Sequence, residues 1–308
     1  MISRFVLSQL IALVLFTTPV SAGTIIPENE NVNASPEFLS LREALDRSIA
    51  VYADEIGGID VAIAVTDLQN GETISVRGNT LHRTGCVINM FALLAAVGEF
   101  QAGKASPLGL SFSIKRGIGG SYPPEVSRFA QAIFGSDRAA ILRAREMMAG
   151  WGMRASFFDH IPTYGGEDSP SNILTALETN DILTRLWRGQ LFDRDWTTYT
   201  IERLRDSEPQ VNYILPGQLP LGATVGHKVG VYADSDGWVH NDAGIVSFKG
   251  ADGAEKLYVI TYLSQLANDR LAGYSLGAKL SRDVWDWMTE KYGLWPGPKT
   301  PGHTSAAP

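Results

Sequence analysis

Lys228 is the residue whose type and setting most directly indicate chemistry. It lies in a β-rich run over residues 225–231, directly after His227 and two positions before Gly230. A lysine fixed inside such a run predicts a positive charge that points into a cleft and binds an anionic group. The alternative is a solvated lysine on a strand, a common use of this side chain at sheet edges.

Cys86 is the second candidate for chemistry. It is the only cysteine of the chain, which excludes an intramolecular disulfide. It opens a run to Gln101 whose apolar residues recur at helical spacing. A thiolate is a strong nucleophile, and a helix N-terminus lowers the pKa of a thiol. The alternative is a small apolar side chain that fills space.

Composition limits the class of protein. The 308 residues can bury one sizeable core, or one core with an inserted subdomain. The net charge of −7 and the absence of a clustered basic run argue against nucleic acid as a partner. The histidines are scattered and lack metal-binding spacing, so we predict no metal and no cofactor. They are His82, His160, His227, His240 and His303.

The first 22 residues have the pattern of a targeting segment. Arg4 precedes an apolar run from Phe5 to Phe16, and Val20-Ser21-Ala22 forms a small-residue cleavage site. The apolar run is short for a span, so a permanent membrane anchor is the less favoured alternative. We therefore expect export to the periplasm or the extracellular space.

The remaining pattern predicts the elements that would hold these residues. A helix begins at Pro36 after Ser35 and ends before Gly57-Gly58. Two β-rich segments follow on either side of Asn70-Gly71, a strong hairpin signal. The later segments are helices over 126–134, 139–148, 173–187 and 196–204, strands over 224–231, 237–248 and 257–263, and a closing helix over 276–292.

This order of helix, hairpin, helical block, three strands and helix favours an α+β fold. We predict an antiparallel five-stranded sheet flanked by terminal helices, together with an all-helical subdomain. The predicted boundaries are a signal peptide over 1–22, a linker over 23–38, a sheet subdomain over 39–85 and 207–293, a helical subdomain over 86–206 and a disordered tail over 294–308.

Three short motifs narrow the fold further. They are Cys86-Val87-Ile88-Asn89 at a helix start, Gly135-Ser136-Asp137-Arg138 before a helix, and Lys228-Val229-Gly230 on a strand. In this order they resemble the Ser-x-x-Lys, Ser-Asp-Asn and Lys-Thr-Gly motifs of class A β-lactamases and related penicillin-binding serine hydrolases. The resemblance covers nearly all of the chain after the targeting segment and implies the β-lactamase/transpeptidase-like fold.

The first motif departs from the family pattern at both reactive positions. In active members the serine attacks a carbonyl, and the lysine one turn later helps remove its proton. Cys86 and Asn89 occupy these positions here, and the amide of Asn89 is not basic near neutral pH. We therefore hypothesise degraded acylation machinery, with weak or absent β-lactam hydrolysis.

The other family positions yield further candidate residues. Val229 lacks the hydroxyl that would touch a substrate carboxylate. Arg138 replaces a side chain that holds the substrate amide, and its guanidinium either blocks that pocket or creates an anion site instead. Glu167 is the candidate for the deacylating carboxylate, although its Gly- and Pro-rich surroundings favour a solvated loop residue. Ser136 either donates a hydrogen bond to a ligand or caps the helix that follows.

The resemblance leaves three functions open. The first is a binding protein whose cleft, lined by Ser136, Lys228 and Gly230, takes an anionic amide or a cell-wall peptide. The second is a β-lactamase, amidase or esterase that uses Cys86 as nucleophile and His227 as its base. The third is an interaction domain without a small-molecule site. We expect the aromatic residues to serve core and rim packing rather than a carbohydrate platform, because their spacing is irregular.

Overall fold

The computed structural model describes residues 34–56, 58–162 and 172–297. Its eight helices in these ranges are α1 (Pro36–Ile56), α2 (Asn89–Gln101), α3 (Ser111–Ile114), α4 (Pro123–Phe134), α5 (Asp137–Gly150), α6 (Ala176–Trp187), α7 (Arg194–Arg205) and α8 (Arg270–Tyr292). The strands are β1 (Asp60–Asp67), β2 (Thr73–Val76), β3 (His82–Arg83), β4 (Ile173–Leu174), β5 (Thr224–Asp234), β6 (Gly237–Lys249) and β7 (Glu255–Gln265). None of the helices in these ranges is both long and apolar enough to cross a bilayer.

Five of the strands form one antiparallel sheet in the order β2-β1-β7-β6-β5. The hairpin around Asn70-Gly71 supplies β1 and β2, and the three late strands supply the rest. In the β5–β6 pair, His227 lies opposite Gly244 and Val231 lies opposite His240. The predicted α+β fold with a five-stranded antiparallel sheet is therefore confirmed.

Each face of the sheet is covered by its own apolar core. On one face, side chains of α1 and α8 such as Phe38, Leu45 and Trp285 pack with alternate sheet residues such as Ile260. On the other face, α2 is buried among α4, α5 and α7. A helix that is apolar all round must be enclosed by other elements. Consequently α2 holds Asn89 and the preceding Cys86 turn rigidly against the sheet.

The structure differs from the sequence-based prediction at three places. Residues 173–187 do not form one helix, because Ile173 and Leu174 pair with β3 and the helix starts only after Thr175, whose Oγ1 accepts the Glu178 amide. The closing helix starts a turn and a half earlier than predicted, where Asp269 caps it. The four-residue helix α3 and the π-helical turn over Lys115–Gly119 were not predicted.

Candidate functional site

Strand β5 lies directly against the turn that carries Cys86. Gly85–Ile88 forms a 3₁₀ turn that continues into α2. A Cβ placed on Gly230 would lie 2.6 Å from the amide nitrogens of Cys86 and Val87. Real Cβ atoms do not approach backbone this closely, so only glycine permits this contact. Gly230 thus brings the strand backbone onto the turn where the family keeps its nucleophile.

Lys228 is buried on the same face of β5, where side chains alternate with period two. Its Nζ donates hydrogen bonds to Ser121 Oγ and to the Val229 carbonyl, both at 2.6 Å. Burial lowers the pKa of Lys228 to about 8, and the charges of Cys86 and Asp242 partly oppose this shift. The ammonium is therefore the cation of this cleft at neutral pH, and it is near enough to Cys86 to interact with it electrostatically.

Ser121 is the serine that contacts this lysine. Its Oγ accepts from Lys228 and donates to the Val229 carbonyl at 3.2 Å. Its backbone has a φ of 51°, in the left-handed region, directly after the π-helical turn. Ser121 was not predicted as a site residue, because neither Tyr122 nor Pro123 resembles the family motif. The one local signal in the sequence was the Gly119-Gly120-Ser121 segment, which indicates an interruption of the chain's helical structure before Pro123.

Asn89 is completely buried three residues after Cys86. Residues three apart share a helix face, so its side chain projects from the same side as that of Cys86. Neither its amide oxygen nor its amide nitrogen has a hydrogen-bond partner among the described residues. The position three residues after the candidate nucleophile therefore holds a neutral amide that no described neighbour fixes by hydrogen bonding.

His227 lies on the opposite face of β5, which corrects its predicted pairing with Cys86. Its Nδ1 is 2.8 Å from Asp242 Oδ1, and its Nε2 is 2.9 Å from Asn212 Oδ1. Both ring nitrogens are thus engaged away from the thiol, and the ring is buried. The neighbouring Val229 packs its side chain into the core beneath α8, so it offers a ligand only its backbone.

Ser136 and Arg138 are not brought to Lys228, which corrects their predicted place in the cleft. Ser136 is exposed, and its Oγ accepts the Ala139 amide as the N-cap of α5. Arg138 is exposed in the first turn of that helix. Helix α4 has 12 residues and separates Ser121 from Ser136, and such a helix is about 18 Å long. The Ser-Asp dipeptide is therefore a helix cap, one of the two roles its sequence allowed. Glu167 lies outside the described residues.

Two tyrosines pack together against the core on the face of the sheet that holds Val229. The Tyr213 and Tyr274 rings are 4.5 Å apart between centroids, and both side chains are partly buried. Burial raises the pKa of Tyr213, and the nearby Tyr274, Asp242 and Cys86 raise it further. The phenol of Tyr213 thus stays protonated at physiological pH.

Comparison with known proteins agrees with this architecture. The model of the Beta-lactamase enzyme family matches residues 137–288. A sequence search among curated proteins finds no match. This match and the shared fold agree with the predicted resemblance to class A β-lactamases and penicillin-binding serine hydrolases.

Solved structures show the same fold at low sequence identity. A β-lactamase from Chitinophaga pinensis DSM 2588 is 17% identical, with a TM-score of 0.66 over 80% of this chain and 98% of that one. A representative class A β-lactamase from Bacteroides cellulosilyticus DSM 14838 is 19% identical, with a TM-score of 0.68 over 81% and 99% of the two chains. The structure named PBP-A is 15% identical, with a TM-score of 0.67 over 82% and 96%. At such identities the likeness concerns the fold.

Proposed function

We propose that this chain is an exported β-lactamase-fold binding protein whose cleft takes an anionic amide or a peptidoglycan-like peptide. Its turnover of β-lactams is weak or absent, so it acts as a pseudoenzyme. Two features support this function besides the β-lactamase fold. Lys228 provides a cation that can bind an anionic ligand, and Asn89 stands where the family has the group that accepts the proton of the nucleophile. The targeting pattern over residues 1–22 supports export.

The observation that carries the proposal is the state of Asn89. A serine or cysteine hydrolase needs a group that takes the proton of the nucleophile. The buried amide of Asn89 occupies the family position of that group and cannot accept a proton near neutral pH. His227 does not replace it, because Asp242 and Asn212 hold both of its ring nitrogens.

The contacts of Lys228 support anion binding. The ammonium is held by Ser121 Oγ and a backbone carbonyl, which are neutral acceptors, rather than by a carboxylate. Its charge is therefore not cancelled by a direct ion pair and can stabilise a carboxylate of a ligand. The backbone of Gly230 and Val231 lies beside the Cys86 turn, where extended strand backbone can pair with a peptide ligand.

A second candidate function is hydrolysis by Cys86. The observation in its favour is that Lys228 lies on the strand that packs against the Cys86 turn. Burial lowers the pKa of Lys228 to about 8, so a fraction of the amine is neutral at physiological pH. In this alternative Lys228, rather than His227, takes the thiol proton.

Turnover separates the two candidates. We expect the purified protein to cleave a chromogenic cephalosporin no faster than a Cys86→Ala variant. Intact-mass spectrometry after incubation with a penicillin should show no adduct. Rapid cleavage, or an acyl adduct that disappears in Cys86→Ala, would establish the hydrolase instead.

Calorimetry tests the binding function directly. A cell-wall peptide with a free carboxylate should bind the wild type, and Lys228→Met should weaken binding at least about tenfold, since a charge-assisted hydrogen bond contributes about 1.5–3 kcal/mol. Affinity should also fall as the pH rises through about 8, where Lys228 loses its charge. Lys104→Met is the matched control, because this lysine is mostly exposed beside Glu99. Equal affinity of both variants, or no binding by the wild type, would contradict the proposal.

A further inference from the structure

A cavity lies away from the Cys86 and Lys228 site, between the β1–β2 turn, the end of α5 and the exposed side of α6. Its volume is about 390 Å³. Its lining includes Thr66 and Thr73 from the hairpin, Trp151 after α5, and Asn180, Thr184 and Arg188 from α6 and its end. None of these residues is part of the Cys86 and Lys228 site. The cavity is large enough for a small polar molecule.

One side of the cavity is a chain of hydrogen bonds with a fixed direction. Thr66 Oγ1 donates to Asn180 Oδ1, and Asn180 Nδ2 donates to the Ala64 carbonyl at 3.0 Å. The Thr66 proton is thereby used, so the Thr73 hydroxyl, 2.8 Å away, must donate to Thr66. The oxygen of Thr73 is left with acceptor capacity. A ligand at this side of the cavity must bring a donor.

Thr184 provides a polar group with unused capacity. The residue is only 6% exposed, it lines the cavity, and its Oγ1 is buried without a hydrogen-bond partner among the described residues. A buried hydroxyl without a partner costs free energy that a ligand can recover. The hydroxyl can both donate and accept, which suits another hydroxyl.

The remaining lining combines an apolar surface with charges at the rim. Trp151 supplies an indole wall, and Leu177 and Met153 extend it. The Glu178 carboxylate is already used, because it accepts the amides of three consecutive residues, 154–156. Arg188 is exposed, and its guanidinium lies over Gly71, where a Cβ would be only 2.7 Å from Nη2. Among the described residues that line the cavity, Arg188 is therefore a rim cation with several donors.

We propose that this cavity binds a single sugar ring, of the hexose or N-acetylhexosamine class. A pyranose has apolar C–H faces that pack on an indole and hydroxyls that both donate and accept. These properties match Trp151 on one side and Thr73, Thr184 and Arg188 on the others. A sugar is favoured over a purely apolar ligand, because only a ligand with hydroxyls can supply a hydrogen-bond partner to Thr184.

The test titrates the full chain with N-acetylglucosamine and, separately, with glucose. Binding is followed by calorimetry and by the indole N–H resonance of Trp151, which Trp151→Phe assigns. At least one of the two sugars should bind saturably in the millimolar range and shift that resonance. Thr184→Val keeps the side-chain shape without the hydroxyl and should weaken binding about five- to tenfold. Arg188→Ala, at an exposed position, should also weaken it.

The matched control is Thr179→Val. Thr179 lies on the same helix and is likewise buried with an unpartnered hydroxyl, but it does not line the cavity. This variant should bind like the wild type. The proposal is overturned if neither sugar binds saturably, if glycerol binds as well as the sugars, or if Thr184→Val and Arg188→Ala both bind like Thr179→Val.

Discussion

At the scale of single residues, Lys228 is kept at a cost in stability. Burial favours its neutral form, with a pKa of about 8 in the folded chain against 10.5 as the ordinary value. Between these values the unfolded chain binds more protons, so the free energy of unfolding rises with pH, by up to about 3 kcal/mol. Urea unfolding at pH values below and above this window should show the rise in the wild type and not in Lys228→Met. If the free energy of unfolding changed with pH in the same way in both proteins, the predicted contribution of Lys228 would be wrong.

Asn89 and Asn241 form a second residue-scale comparison. Both are buried, but Asn241 donates to the Arg83 carbonyl at 2.6 Å and accepts the Ser264 amide at 2.8 Å. The Asn89 amide has no hydrogen-bond partner in the part of the chain that the structure describes. Asn89→Leu should therefore leave the free energy of unfolding unchanged or raise it by about 1 kcal/mol, whereas Asn241→Leu should lower it by at least about 2 kcal/mol. Denaturant titration measures both. A clear loss in Asn89→Leu would show that its amide is satisfied in solution.

At the scale of elements, the contact between β5 and the Cys86 turn depends on a missing side chain. In Gly230→Ala the new Cβ would meet backbone atoms of Thr84, Cys86 and Val87 at 2.6 Å. We expect the strand to move from the turn, with a loss of about 1–3 kcal/mol and weaker binding in the cleft. Gly222→Ala is the control, because nothing lies within 4 Å of its added Cβ. Thermal denaturation should separate the two variants, and equal melting temperatures would refute the close contact.

Elements with a regular apolar periodicity were predictable from the sequence. Elements that exist only because they pair with a distant segment were not. The Asn70-Gly71 hairpin and the alternation in β5 and β6 are local signals, and the structure has them in the expected place. Ile173 and Leu174 fit a helical apolar pattern equally well, and only their pairing with His82 and Arg83 makes them a strand. A two-residue strand has no period for a sequence to display.

The difference between local patterns and distant contacts also explains which site residues could be predicted from the sequence. Lys228 and Gly230 were found because their strand is regular and their motif is short and contiguous. Ser121 was missed because a π-helical turn and a left-handed backbone bring it to Lys228, and neither has a sequence period. His227 was placed on the wrong face, although the alternation of β5 already separates it from Lys228.

At the scale of the whole molecule, the last helix is fastened to the first strand of the sheet. The buried Asp67 carboxylate accepts the Tyr292 hydroxyl at 2.5 Å and the Lys291 ammonium at 3.1 Å. Tyr292→Phe removes one of these bonds and should lower the free energy of unfolding by about 1–2 kcal/mol. Tyr258→Phe is the control, because its buried hydroxyl has no partner among the described residues and its loss should be neutral or stabilising. If the two variants unfold at the same denaturant concentration, the hydrogen bond between Tyr292 and Asp67 does not stabilise the fold.

The strand order carries a consequence for how the chain acquires its shape. Strand β1 pairs with β7, and Asp60 and Gln265, which lie 205 positions apart, bond across that seam. The β1–β2 hairpin therefore cannot join its sheet until β5, β6 and β7, in the last third of the polypeptide, have been synthesised. Pairing across so long a loop is slow. We expect the α-helical middle to gain structure first, and the joining of β1 to β7 to limit the rate of maturation.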